Sequence, residues 1–460
     1  IATGAFKDVQ GLKTIIIPGS VTEIGDYAFS GCSDLVNVTI EDGIKTIGNY
    51  AFYNCISLTN IEIPNSVTTI GSYCFFSCSS LVDITLSENL TVLADGLFQS
   101  CTSLQNINIP DSVQTIGSAT FRWCSNIEKI TLPASVKTIG RGTFCDMDNL
   151  KVIEIDEDNK NFVFENGLLF SADKTIVYCG LTYIESVDLP DTTITIQGHA
   201  FIGCDKLTTI NLGSKITTLD STAFLIDSLE SINVDGNNQK YSSDNGNLYD
   251  KNKIILYRYC ANENQAELPD TVETIAGHAF YGQSNIRELI LPDSLTSLNG
   301  NALNGLSSQI STITIPKNVV SISTSAIRGK KVKVVEDNQN FKSVDDVMIL
   351  TKDGTKLVAL CSNNFTLPDT VETIGSGVFY GIDINQFTVP SSVKTIESGA
   401  FDNCYTLEKI EIPSTIETIG ETAFSRCTSL SQIIIHKSED SIAGAPWGVP
   451  LGDRAVIWDE

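Results

Sequence analysis

Apolar residues return along this chain at a fixed spacing of 23 residues, and the pattern is clearest between residues 15 and 150. Three columns of core-type residues repeat at this spacing: Phe29, Phe52, Phe75, Phe98, Phe121 and Phe144; Cys32, Cys55, Cys78, Cys101 and Cys124; and Leu35, Leu58, Leu81 and Leu104. A unit this short cannot bury its own apolar face, so successive units must stack and share one core. The pattern therefore predicts a solenoid of stacked coils.

Each coil is predicted to contain one short strand, then a turn and a second crossing of the core. Runs such as Ile61-Glu62-Ile63 alternate apolar and polar side chains, as a strand does. Eleven of the 13 prolines follow such a run, where proline ends the strand pairing. The segment from Asp26 to Cys32 is long enough for one helical or 3-10 turn that brings Phe29 into the core.

These features together predict a leucine-rich-repeat solenoid, whose repeats have a period of about 20–29 residues with Leu or Ile at set places. The expected fold is a right-handed, β-rich α/β solenoid. Short strands would form a parallel β-sheet on its concave face. Helices of the 3-10 type, or of one turn, would lie on its convex side.

Three longer intervals interrupt the repeat, and we interpret each one as an inserted β-hairpin or small β-meander. The inserts lie at about residues 156–183, 235–263 and 336–363. Each contains an Asn-Gly or Asp-Gly pair between apolar runs, as at Asn166-Gly167, and such a pair is a strong hairpin signal. The sequence leaves open whether the inserts add coils to the stack or protrude from it.

Because the repeat resumes after every insert, residues 1–460 are predicted to form a single solenoid domain. Residues 440–460 depart from the repeat and contain two of the three tryptophans. A solenoid needs a terminal segment that covers the core of its last coil. We therefore interpret residues 440–460 as a C-terminal cap.

The repeated phrase resembles the BspA-like class of leucine-rich repeats. It reads Ile-x-Ile-Pro-x-Ser-Val-x-x-Ile-Gly-x-x-Ala-Phe-x-x-Cys-x-x-Leu and is seen best at residues 61–81. The three inserts and the ending Ala445-Pro446-Trp447-Gly448 also look like features common in that family. The resemblance implies a secreted or surface-anchored bacterial protein that attaches to host matrix, host cells or other microbes through a protein or glycan ligand. It implies no shared catalytic residues.

The charge of the chain excludes some classes of partner. Acidic residues outnumber basic ones 55 to 30, which gives a net charge of −25. Such a field repels nucleic acid and anionic membrane surfaces, and no apolar run of about 18 residues could span a bilayer. We expect an extracellular or cell-surface monomer that neither binds nucleic acid nor inserts into a membrane. The chain starts in mid-repeat, so we expect any leader or anchor to lie outside it.

Residues suited to catalysis or metal binding do not form a recognisable set. The three histidines, His199, His278 and His436, do not combine with other residues into a Ser/His/Asp or Cys/His arrangement. Oxygen-rich turns such as Asp156–Asn159 could hold Ca²⁺, but they lack the spacing of an EF-hand, and turn formation explains them more simply. We expect no enzyme, no cofactor and no metal.

The 13 cysteines are predicted to be mostly reduced thiols of the core. Eight of them share one repeat position, and the sequence contains no CxxC motif. Some disulfides stay possible on this evidence. The reduced-looking cysteines are also the main support for a competing hypothesis, an intracellular protein-interaction scaffold. A third hypothesis is an enzyme built on the solenoid.

The outward side chains of the strands are the first candidate for partner binding. Two columns are predicted: Thr39, Glu62, Thr85, Asn108 and Thr131, and beside them Asn37, Asn60, Asp83, Asn106 and Lys129. This surface is polar, mildly acidic and free of aromatic residues. It suits a broad, weak or avid contact with a basic or glycan-bearing partner better than a deep small-molecule pocket. An ordinary solvated strand surface is the alternative.

A column of tyrosines is the second candidate. Tyr27, Tyr50 and Tyr73 recur at the same 23-residue spacing, close to the core phenylalanines. They could form an exposed aromatic strip that anchors a partner. Packing between successive coils is the alternative.

Overall fold

The computed structural model describes residues 1–261, 263–306, 310, 312–327, 330–439, 441–445, 447–448 and 456–459. The chain divides into two compact units, Ile1–Ser243 and Asp244–Glu460. Each unit is a stack of coils built from parallel strands, which confirms the predicted solenoid. The single domain of residues 1–460 stays a prediction.

Two ladders of parallel strands run through the first unit. The long ladder contains β1 (Thr14–Ile17), β3 (Asn37–Ile40), β5 (Asn60–Glu62), β7 (Asp83–Thr85), β10 (Lys129–Leu132), β12 (Val152–Ile155), β16 (Ser186–Asp188), β18 (Thr209–Leu212) and β20 (Ser231–Val234). The short ladder contains β2 (Glu23–Ile24), β4 (Thr46–Ile47), β6 (Thr69–Ile70), β8 (Val92–Leu93), β9 (Thr115–Ile116), β11 (Thr138–Ile139), β17 (Thr195–Ile196) and β19 (Thr218–Leu219). Paired residues are one repeat apart, as in Thr14 with Asn37, so equivalent side chains form straight columns.

The second unit repeats this arrangement. Its long ladder contains β24 (Gln265–Glu267), β26 (Glu288–Ile290), β28 (Ile313–Ile315), β30 (Val332–Val334), β35 (Gln386–Thr388), β37 (Lys409–Ile412), β39 (Gln432–Ile435) and β40 (Val456–Trp458). Its short ladder contains β25 (Thr274–Ile275), β27 (Ser297–Leu298), β29 (Ser321–Ile322), β34 (Thr373–Ile374), β36 (Thr395–Ile396) and β38 (Thr418–Ile419).

Each insert contributes three strands. They are β13 (Phe162–Glu165), β14 (Leu168–Ser171) and β15 (Ile176–Gly180) in the first; β21 (Tyr241–Asp244), β22 (Asn247–Asp250) and β23 (Ile255–Arg258) in the second; and β31 (Phe341–Val344), β32 (Met348–Thr351) and β33 (Lys356–Leu360) in the third. In the first insert the three strands pair antiparallel, and β15 then pairs parallel with β17. Its last strand thus takes a place in the short ladder, and β23 and β33 do the same.

The core columns pack as the sequence predicts. Successive phenylalanine rings lie nearly parallel, with centroids 5.2 Å apart for Phe29 and Phe52 and 5.5 Å apart for Phe52 and Phe75. All 13 cysteines are free and buried. The thiol of Cys78 donates a hydrogen bond to the Phe52 carbonyl oxygen in the preceding coil at 3.2 Å. The cysteine column therefore fills the core and satisfies a carbonyl in each turn.

Among the described residues, the segments predicted to form 3-10 or one-turn helices are hydrogen-bonded turns, with one exception. In the described residues the only helix is the 3-10 helix at Thr324–Ala326. Tyr27 has φ +56° and Tyr50 has φ +54°, and this left-handed conformation is incompatible with a helix. The amide of Phe29 donates to the Ala51 carbonyl in the next coil at 2.8 Å. The amide of Cys32 instead donates to the Phe29 carbonyl within the same coil at 3.1 Å, so hydrogen bonds between coils alternate with local turn hydrogen bonds.

The described part of residues 440–460 packs on the last coil. The Trp447 side chain is fully buried, and its Nε1 donates to the Ala443 carbonyl oxygen at 2.9 Å. The Trp458 ring, on β40, lies with its centroid 6.4 Å from that of Trp447. Residues 440, 446, 449–455 and 460 lie outside the described residues, so the cap as a whole stays a prediction.

Candidate functional site

The ten predicted strand residues all lie on one exposed surface of the first unit, which we call the strand face. Asn60 pairs with Asn37 on one side and with Asp83 on the other, so the predicted columns are aligned in register. All ten residues are exposed, while the intervening Val38 and Ile61 are buried. The alternation predicted for these strands is confirmed, and their role in binding stays a prediction.

Some charged residues of the strand face have an ion-pair partner and others do not. Lys129 forms an ion pair with Glu154 in the next coil, with Nζ 2.8 Å from Oε2. The hydrogen bond from Lys129 holds the pKa of the Glu154 carboxyl below its ordinary value. Glu62 and Asp83 have no ion-pair partner among the described residues. The strand face is therefore mildly negative near its centre.

The long ladder is interrupted within the strand face. Residues 105–109 form no strand, so β7 and β10 are not joined through the coil between them. A polar depression of about 330 Å³ lies here, and its lining includes Asn106, Asn108, Lys129 and Thr131. These four residues were predicted from the sequence as part of the site, but the depression was not.

A ladder of amides continues the outward column further along the chain. The Asn233 side-chain amide donates to Asn211 Oδ1 at 2.8 Å, and the Asn211 amide donates to Asp188 Oδ1 at 2.5 Å. These residues line a second shallow depression of about 330 Å³. Because the side chains hold one another in place, they form an ordered polar surface.

The tyrosine column is packed between coils and partly exposed. The rings of Tyr27 and Tyr50 stack with centroids 4.8 Å apart, and those of Tyr50 and Tyr73 with centroids 5.2 Å apart. Lys7 Nζ lies 5.7 Å from the Tyr27 centroid, over the free face of that ring. At the other end Tyr73 lies against Gly96. The faces of the three rings are therefore covered by neighbouring groups, which supports packing between successive coils as the role of this column. Only the ring edges are available to a partner.

One exposed aromatic residue was missed by the sequence reasoning. The Trp123 side chain is 40% exposed, and the Arg122 guanidinium lies 4.2 Å from its ring centroid. The backbone of Trp123 has φ +62°, at a repeat position that Asn54 and Ser77 occupy in earlier coils. A large aromatic residue in a column of turn-forming residues was the signal that could have identified it.

The oxygen-rich turns at the starts of the inserts have a structural explanation. Asn238 is fully buried; its side-chain amide donates to the carbonyls of Gly213 and Ile216, and its Oδ1 accepts from the amides of Lys240 and Tyr241. Asn338 makes the equivalent set of hydrogen bonds, and Asn159 makes three of them. Within the described ranges no group of three or more His, Cys, Asp or Glu residues is placed to hold a metal ion.

Two of the histidines are half-buried in different surroundings. Burial, followed by the charge of Arg122, lowers the pKa of His199, and Asp220 and Asp146 oppose the shift. Burial and the charge of Arg258 lower the pKa of His278. In both cases burial is the largest cause and favours the neutral imidazole.

No helix among the described residues has the length and apolarity needed to cross a membrane.

Similar structures come from bacterial leucine-rich-repeat proteins. A leucine-rich cell surface protein from Faecalibacterium prausnitzii is 23% identical over 86% of this chain and 84% of that chain, with a TM-score of 0.33. A leucine-rich repeat protein from Eubacterium ventriosum is 19% identical over 70% of this chain and 90% of that chain, with a TM-score of 0.48. The pneumococcal vaccine antigen PcpA is 18% identical over 97% of this chain and 79% of that chain, with a TM-score of 0.35. No curated protein matches the chain.

The family assignment rests on the repeat itself. The model of the BspA type leucine rich repeat region, which contains six copies of the repeat, matches residues 1–127, 92–167, 174–247, 254–360 and 359–445. These ranges cover nearly all of both units. The chain therefore belongs to the family of BspA-type leucine-rich-repeat proteins.

Proposed function

We propose that this chain is a non-catalytic adhesion or protein-interaction module of a bacterial surface or secreted protein, and that the strand face binds a protein or glycan partner. The observation that carries the proposal is the strand face itself. Ten polar side chains stand exposed at equivalent repeat positions, and eight of them lie on strands whose inward residues are committed to the core. Function on such a scaffold has to reside on its surface.

The size of the strand face favours a weak, repeated contact. Adjacent strands lie about 4.8 Å apart, so five coils span about 20 Å. A stable protein interface buries about 800 Å² on each partner, which is several times the area of the two columns. An oligosaccharide or an extended peptide fits these columns better than a globular partner does. Strong attachment would then come from many copies acting together.

The cysteines do not argue against an extracellular location. Every thiol is buried, and burial raises the pKa of Cys74 to about 12. A buried thiol with a raised pKa is inert, because the thiolate is the species that is oxidised. Buried thiols such as Cys74 are compatible with an oxidising compartment as well as a reducing one, so they do not favour the intracellular scaffold over the surface protein.

The test is a glycan array together with a panel of purified matrix proteins, probed with the intact chain and two charge-reversal variants. The first variant carries Glu62→Lys and Asp83→Lys on the strand face. The matched control carries Glu23→Lys and Glu88→Lys, which are exposed in the same unit but are not among the ten residues of the strand face. Reversing charges at an interface disturbs a complementary partner strongly, so we expect about a tenfold or larger loss for the first variant only. A ligand that both variants retain equally would contradict the proposal.

The tyrosine column needs a separate test. Replacing Tyr27, Tyr50 and Tyr73 together by Ser removes the stacked rings and leaves the strand face unchanged. We expect lower stability, because each stacked pair contributes about 0.5–1.5 kcal/mol, and unchanged affinity for the ligand identified above. A loss of ligand binding by a variant that stays folded would assign the partner to the tyrosines instead.

A further inference from the structure

The second insert differs from the other two at the positions that line its inner side. The strand register aligns Leu248 opposite Arg258 with Leu169 opposite Cys179 and with Ile349 opposite Ala359. On this alignment Asn247, Tyr249 and Tyr259 replace Leu168, Phe170 and Gly180 of the first insert and Met348, Leu350 and Leu360 of the third. The second insert therefore carries side chains that can form hydrogen bonds at positions where the other two inserts have apolar side chains or glycine.

A cavity accompanies this exchange. It has a volume of about 600 Å³ and lies within the second unit, and its lining includes Asn247, Tyr249, Tyr259, Glu263, Glu267 and Asp270. We call it the acidic cavity.

The first insert shows why the acidic cavity is open. Counted back from the Leu-Pro-Asp sequence that follows each insert, Ile184 is the equivalent of Glu263. Ile184 is buried, and a Cβ atom on Gly180 would lie 2.7 Å from its Cδ1. A side chain at the Gly180 position is therefore blocked in the first insert. In the second insert Glu263 is exposed, which leaves room for the Tyr259 ring and for the cavity beside it.

The walls of the acidic cavity carry an excess of negative charge. Asp244 lies on the wall and is paired with Lys253, with Oδ2 2.6 Å from Nζ. Glu263, Glu267 and Asp270 have no ion-pair partner among the described residues. Four carboxylates less one ammonium leave three uncompensated negative charges around the cavity. The net charge of −25 adds a general field that attracts cations.

The Tyr259 side chain points to a ligand independently of the charges. Tyr259 is 2% exposed, and its ring stacks on Phe280 with centroids 5.0 Å apart. Its hydroxyl has no hydrogen-bond partner among the described residues. Tyr259 and Glu263 both line the cavity, and burial, followed by the charge of the Glu263 carboxylate, raises the pKa of Tyr259. A phenol oxygen without a partner on the wall of a cavity is free to accept a hydrogen bond from a ligand.

We propose that the acidic cavity binds a guanidinium or ammonium group, as carried by an arginine or lysine side chain of a protein partner. Both groups are donors only, and they match carboxylates and a phenol oxygen that can accept. The site is separate from the strand face, and it does not depend on the function proposed there.

The test measures binding of N-acetyl-arginine methylamide to the intact chain by calorimetry, with the citrulline analogue as a neutral control of the same shape. We expect saturable binding of the arginine compound, and binding of the citrulline compound weaker by about tenfold or more, because a hydrogen bond to a charged group contributes about 1.4 kcal/mol or more. Equal binding of the two compounds, or no binding of either, would overturn the proposal.

Variants then locate the site. Tyr259→Phe keeps the ring on Phe280 and removes only the hydroxyl, and Glu263→Gln removes one charge at an exposed position. We expect each to weaken arginine binding about fivefold to tenfold. The matched control is Glu185→Gln, an exposed residue beside the first insert, which should bind like the unmodified chain. Full binding by both cavity variants would overturn the assignment.

A peptide distinguishes a protein side chain from a free cation. If Gly-Gly-Arg-Gly-Gly binds more tightly than the single-residue amide, the cavity accepts an arginine within a chain, as we expect for its volume of about 600 Å³. If the peptide does not bind while the amide does, the ligand is a small free cation, and the protein partner is wrong.

Discussion

Gly96 is the residue on which the end of the tyrosine column rests. It has φ +60°, and a Cβ atom built on it would lie 2.3 Å from Cδ1 and Cε1 of Tyr73. Ordinary contacts between carbon atoms are about 3.5–4.0 Å, so in Gly96→Ala the Tyr73 ring has to move by more than an ångström. We therefore predict that this substitution destabilises the coil in two separable ways.

The size of each effect follows from the geometry. A left-handed backbone costs a non-glycine residue about 1–2 kcal/mol. Displacing Tyr73 also disturbs its stack with Tyr50, whose centroid is 5.2 Å away, and such stacks contribute about 0.5–1.5 kcal/mol. The expected loss in local stability is about 2–3 kcal/mol. In a Tyr73→Ser background only the backbone cost remains, so the two substitutions should be non-additive by about 1 kcal/mol.

Hydrogen exchange measured by mass spectrometry is the suitable assay, because coils of a solenoid open locally rather than as one unit. The free energy of opening is read from peptides that cover residues 73–98 in the unmodified chain, the two single variants and the double variant. Ala119 provides the control. It occupies the same repeat position with φ +53°, so Ala119→Gly should raise local stability by up to about 1 kcal/mol. Additive losses for Gly96→Ala and Tyr73→Ser would refute the claim that Gly96 makes room for the column.

Three further substitutions test other parts of the fold. Asn238→Ala removes the partners of four buried backbone groups and should cost about 2–4 kcal/mol of local stability in hydrogen exchange, whereas exposed Asn237→Ala should cost little. Burial raises the pKa of Cys74 to about 12, so its stabilising contribution is complete below the unfolded pKa of about 8.5 and is lost as the pH rises toward 12. Cys74→Ala introduces the residue of the preceding coil, Ala51, and should flatten the curve of stability against pH between those values; an unchanged curve would contradict the assignment. Trp123→Asn exchanges a strained left-handed tryptophan for a residue that tolerates this conformation. The change in unfolding free energy should therefore stay within about 1 kcal/mol. A loss above about 2 kcal/mol would mark Trp123 as a packing residue.

The core could be predicted from the sequence because the repeat makes it visible. A column such as Phe29, Phe52 and Phe75 needs only a fixed period to be recognised, and its burial follows from the apolar character of its members. The strand face follows in the same way, since residues that alternate with Val38 and Ile61 must point outward. Both predictions need only the position of a residue within the coil, and the repeat in the sequence gives that position directly.

The short ladder and the left-handed turns were beyond the sequence. Pairs such as Thr46-Ile47 contain only two residues, too few for an alternating pattern to show. Tyr27 gives no sign of a positive φ, because its conformation is imposed by hydrogen bonds to the next coil, including Tyr27 N to Asn49 O at 2.9 Å. A helix would satisfy its own carbonyls, but in this stack every second amide of the turn donates to the neighbouring coil. The left-handed turn is therefore fixed by contacts with the coil one repeat away, and the local sequence does not show them.

The acidic cavity presents a different difficulty, because it arises where one insert departs from the equivalent inserts. Most positions in a solenoid are fixed by the need to match the coil above and the coil below. An exception has to be tolerated by that packing, as when Glu263 takes the place of Ile184 and opens the acidic cavity beside Tyr259. The difference between Ile184 and Glu263 is visible in the sequence. Its structural effect depends on which side chain fills the same space in the equivalent insert. In a repeat protein the residues to compare for function are therefore the equivalent positions of its own coils, and the side chains that break a column are the first candidates.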